Sequence, residues 1–347
     1  MAKKKASKKE ITDIDDHLTK KFGDDVFISG NALVDEPRIV IPVSPVLNYM
    51  LGGGIPEGSF VLTTGPAKVG KTTLCLDFAA TAQKEEYASE YCPDGRHVYF
   101  FNIEGRLSDR DLRGIKHLNL EKDRFTVIRS RPGYILNAED YLDIAESLIN
   151  TKTGAIFIFD SFSQLCSSSR KESEYGQGYR DNVPIMLADF TKKVCNVLPV
   201  NRSIVMGITH IIANTSGMGY SQTSEASGRK IQYQADVKLR ATYKELFPKD
   251  ADNPIGQKVH WECSTSAIGP PGRKGTSFLR YGLGIDKVFE IAELSKDLGL
   301  IKQGGAWFTL PDDTKVQGFE NCVEKLREKP ELVEQLNKDF QEMIMAG

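Results

Sequence analysis

Between an apolar run, Ser59 to Thr64, and a helical stretch, Leu74 to Gln83, lies Gly65-Pro-Ala-Lys-Val-Gly-Lys-Thr72, a match to G-x-x-x-x-G-K-[ST]. Such a segment has a use only as the turn from a buried strand into a helix. Gly65 and Gly70 let the backbone aim its N–H groups inward, the helix N-terminus adds positive dipole, and Lys71 supplies a full charge. The ligand suited to that arrangement is a nucleotide polyphosphate. ATP is therefore expected on Gly65, Pro66, Ala67, Lys68, Val69, Gly70, Lys71, Thr72 and Thr73, with the Thr72 hydroxyl turned to Mg²⁺. A chance glycine-rich turn is the bland alternative, and the strand before and helix after argue against it.

The remaining strands follow the same pattern. Val98 to Ile103, Ala155 to Phe159 and Ser203 to Ile208 are apolar runs separated by helical stretches, the signature of a mostly parallel sheet covered by helices. Ligands of open α/β sheets sit beyond the C-terminal ends of the strands, so residues just past each run are the ones to inspect. Asp160 ends one run and is the expected second metal contact, the alternative being a helix cap. Glu104 follows another, before Gly105, and is the expected group that orients or deprotonates the attacking water; pairing with Arg106 is its bland reading.

At 347 residues, with 40% apolar and 27% charged side chains, the chain can form one large α/β core with smaller appendages. A net charge of −2 excludes coating nucleic acid through bulk positive charge, so DNA contact would need local patches. Six scattered cysteines without a C-x-x-C pair fit reduced thiols in a cytosol, and no apolar run reaches membrane-spanning length. The tail bearing Lys3, Lys4, Lys5, Lys8 and Lys9 reads as a solubilising terminus or as a DNA-steering arm. Ile14, Leu18 and Phe22 then recur at helical spacing, Gly23 stops the pattern, and Val26 to Ile28 reads as a short strand. After Gly284 the pattern is helical again, with Val288, Ile291 and Leu294, then Leu332, Leu336, Phe340 and Met343.

The three stations Gly65–Thr72, Glu104 and Asp160, with Gly52-Gly-Gly-Ile-Pro-Glu-Gly58 ahead of the first strand, resemble the RecA family of strand-exchange proteins. Lys20-Lys-Phe-Gly23 is similar to the end of that family's N-terminal helix. Asp297-Leu-Gly-Leu-Ile-Lys302 with Gly305-Ala-Trp307 is similar to the bacterial C-terminal domain, so nearly the whole chain is covered. Phe159-Asp-Ser161 and Thr209-His210 also look like T4-type phage recombinases, which makes a phage-encoded member an expectation.

The resemblance implies an α/β fold: a RecA-like P-loop ATPase core at 36–283, an N-terminal polymerisation helix and strand at 1–35, and a small α-rich C-terminal domain at 284–347. It implies a DNA-dependent ATPase that forms helical filaments on single-stranded DNA and pairs it with homologous duplex DNA, in the cytoplasm of a bacterium or of a phage-infected host. Glu104, Lys71 and His210 take the catalytic roles, His210 sensing the γ-phosphate; adenine stacks near Asp109 or Arg110. DNA contacts fall on two loops, Ser167 to Arg180 with Arg170, Lys171 and Arg180, and Ile211 to Lys230 with Ser227, Gly228, Arg229 and Lys230. Two lysines that reach the neighbouring subunit's ATP in bacterial members match Thr265 and Ala267 here, leaving Arg273 and Lys274 as candidate interface cations. Tyr87 to Asp94 looks like an insertion, and recombination mediators or a single-strand-binding protein are possible partners. The rival readings are a hexameric helicase on the same ATPase core and an accessory protein using ATP as a clamp.

Overall fold

The computed structural model describes residues 8–23, 26–172, 182–213, 223–225, 229–248 and 252–346, and the chain divides into two units, Met1–Ile39 and Val40–Gly347. Lys3, Lys4 and Lys5 lie outside the described residues.

The first unit holds helices α1 (Lys8–Phe22) and α2 (Gly30–Val34). Gly23 closes α1 at φ +96°, its N–H donating to the Thr19 carbonyl at 2.8 Å, a left-handed cap that glycine makes without steric cost. The expected strand at Val26–Ile28 does not form; Val26 and Phe27 lie in a turn, and Ser29 caps α2. A strand needs a neighbouring backbone to receive its hydrogen bonds, and the described residues of this unit offer none. Phe22, Val26, Phe27, Ile28, Leu33 and Val34 are consequently exposed.

The second unit begins with β1 (Val40–Ile41), α3 (Pro45–Leu51) and β2 (Ile55–Pro56), the two strands forming an antiparallel pair. Then come β3 (Phe60–Gly65), α4 (Lys71–Ala82), β4 (Val98–Asn102), α5 (Asp109–Arg113), β5 (Phe125–Ile128), α6 (Ala138–Thr151) and β6 (Ile156–Asp160). After α7 (Ser168–Glu172), α8 (Val183–Val194) and α9 (Leu198–Asn201), the chain returns as β7 (Ile204–Ala213), β8 (Thr223–Glu225) and α10 (Arg229–Tyr233). A meander follows: β9 (Val237–Phe247), β10 (Gly256–Thr265), β11 (Lys274–Arg280) and β12 (Gly284–Ile285).

These strands build one sheet in the order β12-β11-β10-β9-β3-β7-β6-β4-β5, with β8 paired to β7. The block from β9 to β5 is parallel and the β9-to-β12 meander antiparallel. Alternation along the strands sends Tyr99, Phe101, Phe157 and Phe159 to one face, where α6 and α8 cover them. Phe159 is the centre of that face, stacked on Phe101 at 4.4 Å and on Phe162 at 4.7 Å. The helix after the P-loop, α4, packs against β3, β6 and β7.

The C-terminal segment carries α11 (Lys287–Asp297), α12 (Phe319–Arg327) and α13 (Pro330–Ala346). Between α11 and α12 lies a three-stranded antiparallel sheet, β13 (Lys302–Gly304), β14 (Trp307–Thr309) and β15 (Lys315–Gln317), which the purely helical reading of this stretch missed. Its strands are three residues each and mostly exposed, too short to show a period. The stretch Tyr87 to Asp94, expected as an insertion, is a turn bridged at Ser89 and Cys92. All six cysteines are free, and among the described residues no helix is long and apolar enough to cross a membrane.

Candidate functional site

Parallel register brings the strand ends to one edge of the sheet. Gly65 on β3 lies opposite His210 on β7, and Asn102 on β4 lies opposite Asp160 on β6. The loop from Gly65 to Gly70 rises from this edge into α4. A Cβ on Gly65 would stand 2.8 Å from the Ala241 Cβ, and one on Gly70 would overlap Leu279; both glycines also have positive φ. The backbone therefore follows a path that side chains would block, as a phosphate cradle requires.

Lys71 lies at the floor. Its Nζ donates to the carbonyls of Gly65 (2.9 Å) and Pro66 (2.6 Å), and burial lowers its pKa from 10.5 to about 8, against the attraction of Asp160 and Glu104. The Thr72 hydroxyl donates to Asp160 Oδ2 at 2.7 Å, while burial raises the Asp160 carboxyl above the ordinary range. One hydroxyl and one carboxylate, side by side, are hard oxygen donors of the kind that hold Mg²⁺ when phosphate and water complete its octahedron. The arrangement fits that ion. It is not an all-protein cage: no group of three or more His, Cys, Asp or Glu side chains suited to a metal occurs among the described residues.

Beside this pair, Glu104 Oε1 accepts from Ser161 Oγ at 3.1 Å and meets His210 Nε2 at 2.6 Å. Arg106, largely exposed, stands 3.8 Å from the other carboxylate oxygen. His210 is fixed from behind, its backbone N–H donating to Ser163 Oγ at 2.8 Å. The three stations surround a cleft of about 790 Å³, ample for a nucleoside triphosphate.

The cleft lining also holds residues that the sequence reading missed: Leu279, Arg280, Tyr281, Gly282 and Gly284 from the end of β11 through the start of β12, with Lys244 from β9 and Gln257 from β10. Tyr281 brings an aromatic ring to the cleft lining. Its one signal in the sequence is Tyr-Gly-x-Gly at the end of an apolar strand. Arg110 lines the cleft, but Asp109 does not; Asp109 sits in the exposed first turn of α5, paired with Arg113 at 2.5 Å. The next residue, Asp111, lines the cleft beside Arg110.

The RecA N-terminal domain model matches residues 9–286, and the RecA C-terminal domain model matches 289–345. The chain belongs to the RecA family. Among curated relatives it is similar to Protein RecA of Streptomyces coelicolor, 26% identical over 332 residues that cover 95% of this chain and 84% of that protein. Protein RecA of Kineococcus radiotolerans is 27% identical over 95% of this chain and 90% of its own length, and that of Acholeplasma laidlawii 27% over 92% of each. As a RecA-family recombinase the chain is a DNA-dependent ATPase.

In this RecA-family chain the two expected DNA loops are described only at their bases. Arg180, Ser227 and Gly228 lie outside the described residues. Arg170 and Lys171 sit on the short helix α7, where Lys171 Nζ donates to the Leu136 carbonyl at 2.6 Å. The second segment differs from the expected loop at its start. β7 runs on through Ala213 and pairs with β8, Ile211 opposite Glu225 and Ala213 opposite Thr223, before Arg229 and Lys230 open α10. His210 is thus the last residue before a two-stranded ribbon. Arg273 and Lys274 are absent from the cleft lining; Arg273 is held in its own chain, donating to the Tyr49 carbonyl at 2.6 Å over that residue's ring, and Lys274 is exposed opposite Glu262.

Proposed function

We propose that this recombinase binds MgATP in the cleft, assembles as a helical filament on single-stranded DNA and exchanges strands with homologous duplex DNA. The observation that carries the reading is the 2.6 Å contact between Glu104 and His210 at the base of the β7–β8 ribbon. A water attacking the γ-phosphate needs an oriented carboxylate, and that of Glu104 is engaged by the His210 imidazole. An arriving γ-phosphate competes for the same imidazole. When His210 turns to the phosphate, Glu104 is released toward water, and β7 carries the change into the segment ending at Arg229 and Lys230. Arg170, Lys171, Arg180, Ser227 and Gly228 complete the DNA contacts, which engage backbone phosphate and ignore base sequence.

Lys71 serves the β- and γ-phosphates and the P-loop N–H groups surround them; Tyr281 and Arg110 flank the base. Mg²⁺, held by Thr72 and Asp160, supplies neutralising charge at the phosphate oxygens. Arg273 and Lys274 are weaker candidates for a cation serving a neighbouring subunit, because Arg273 already has partners in its own chain. The bacterial or phage-infected cytoplasm, with mediators or a single-strand-binding protein as partners, suits six free thiols and this activity.

The test is ATP hydrolysis with and without single-stranded DNA at two salt concentrations, together with electron microscopy of the ATP-bound complex. Salt-sensitive stimulation, lost in Lys71→Ala, and helical filaments are the expected results. Closed rings, or turnover indifferent to DNA, would overturn the filament reading.

A further inference from the structure

The P-loop has an attachment that the phosphate site alone does not call for. Lys68, at its apex, has φ +57°, a left-handed conformation that is unfavourable for a non-glycine residue. Its carbonyl is gripped twice from the antiparallel half of the sheet. Lys244 Nζ on β9 donates to it at 3.0 Å, and Gln257 Nε2 on β10 at 3.3 Å. Gln257 is buried, and its amide oxygen faces the Tyr281 hydroxyl at 3.4 Å. A continuous path thus runs from Tyr281, in the cleft lining, through Gln257 to the P-loop.

The geometry of the peptide bond gives this grip a consequence. In a trans peptide the carbonyl and the following N–H point in opposite directions. Pulling the Lys68 carbonyl toward Gln257 and Lys244 therefore turns the Val69 N–H the other way, to the phosphate side of the loop. Released, that peptide could rotate, and the same loop would offer an acceptor where an anion needs a donor.

We propose that Gln257 and Lys244 are positioning residues that set the P-loop for phosphate through the Lys68 carbonyl, and that Tyr281, through Gln257, ties base occupancy to that setting. The inference rests on the nucleotide-site reading above and deepens it. Each donor carries part of the grip, and when one is removed the carbonyl rests on the other alone.

The test is the MgATP dissociation constant, followed by displacement of a fluorescent ATP analogue, with nucleotide-free melting temperature measured in parallel. Gln257→Leu and Lys244→Met should each weaken binding about threefold, the worth of one neutral or exposed hydrogen bond. The double variant should lose more than the product of the two. Lys244→Arg, which keeps a donor, should restore most of the affinity. Gln257→Glu, which sets a carboxylate against the carbonyl, should bind more weakly than Gln257→Leu. Tyr281→Phe should weaken binding in the parent and have no further effect in Gln257→Leu.

Lys244 lies at the rim, so its two variants test the idea even if the buried Gln257 variants fail to fold. Parent-like affinity in Lys244→Met, equal loss in Lys244→Met and Lys244→Arg, or strictly multiplicative singles would each overturn the proposal. If the parent binds MgATP and Lys71→Ala does not, such a result removes only the positioning role; if the parent itself fails to bind, the nucleotide-site reading falls and this inference with it.

Discussion

The Lys71 ammonium makes a measurable demand on pH. Buried against the P-loop carbonyls, it has a pKa lowered to about 8, because desolvation outweighs the attraction of Asp160 and Glu104. A triphosphate beside it restores the charged form, so binding must take up a proton once the free protein has lost it. With a free-state pKa near 8, the apparent dissociation constant scales as one plus the ratio of neutral to charged lysine. MgATP affinity should then fall about tenfold between pH 7 and pH 9 and level off below pH 7. Calorimetric titration at pH 8 in buffers of different ionisation enthalpy should count about half a proton taken up per ATP bound. Lys71→Arg, charged throughout this range, should bind with no such slope whatever its absolute affinity. A flat profile in the parent, or an unchanged slope in Lys71→Arg, would refute the assignment of this titration to Lys71.

Glu104→Gln should bind ATP as the parent does while DNA-stimulated turnover falls by about 10² or more, as loss of a positioned base implies; equal turnover would move the base elsewhere. Asp160→Asn should weaken MgATP far more than metal-free ATP, measured by titration with and without a chelator, since it removes the one carboxylate beside Thr72. Glu290, fully buried on α11 with Val46 N–H donating to it and Ser44, Ser277 and Asp77 nearby, is pushed by desolvation from 4.5 to about 7. A raised folded pKa means stability fully present below pH 4.5 and lost as pH rises to about 7, up to roughly 3 kcal/mol; the melting temperature should drop between pH 4.5 and 7 and level off above it in the parent, and drop less in Glu290→Gln. Phe159→Ala, opening the centre of the α6–α8 face, should cost about 3 to 5 kcal/mol in denaturant unfolding.

Expectations from sequence met the structure unevenly, and the pattern has a physical cause. Four apolar runs became β3, β4, β6 and β7 within a residue or two, apart from the longer C-terminal reach of β7, because a strand buried on both faces must be apolar throughout. Gly65–Thr72 could be read directly, since the demands of a phosphate cradle fall on consecutive residues. Val26–Ile28 has the composition of a strand but lacks, among the described residues of its own unit, the partner that would make it one. The β13–β15 sheet, short and exposed, left no period to detect.

What the amino-acid sequence by itself determined is the chemistry carried locally: the loop for phosphate, the Asp160 and Glu104 carboxylates at strand ends, and a doubly covered, mostly parallel sheet. Only the tertiary structure decided which distant groups converge on that loop. Lys244 and Gln257 are 176 and 189 residues from the Lys68 carbonyl they share, and His210 is 106 residues from Glu104. Strand order in the sheet makes them neighbours: β9 and β7 flank β3, so strand ends far apart in sequence meet at one edge. Hydrogen bonds made across that edge depend on register and strand order, which no local run of residues encodes, whereas helix, strand and glycine turn are dictated by side chains a few positions apart.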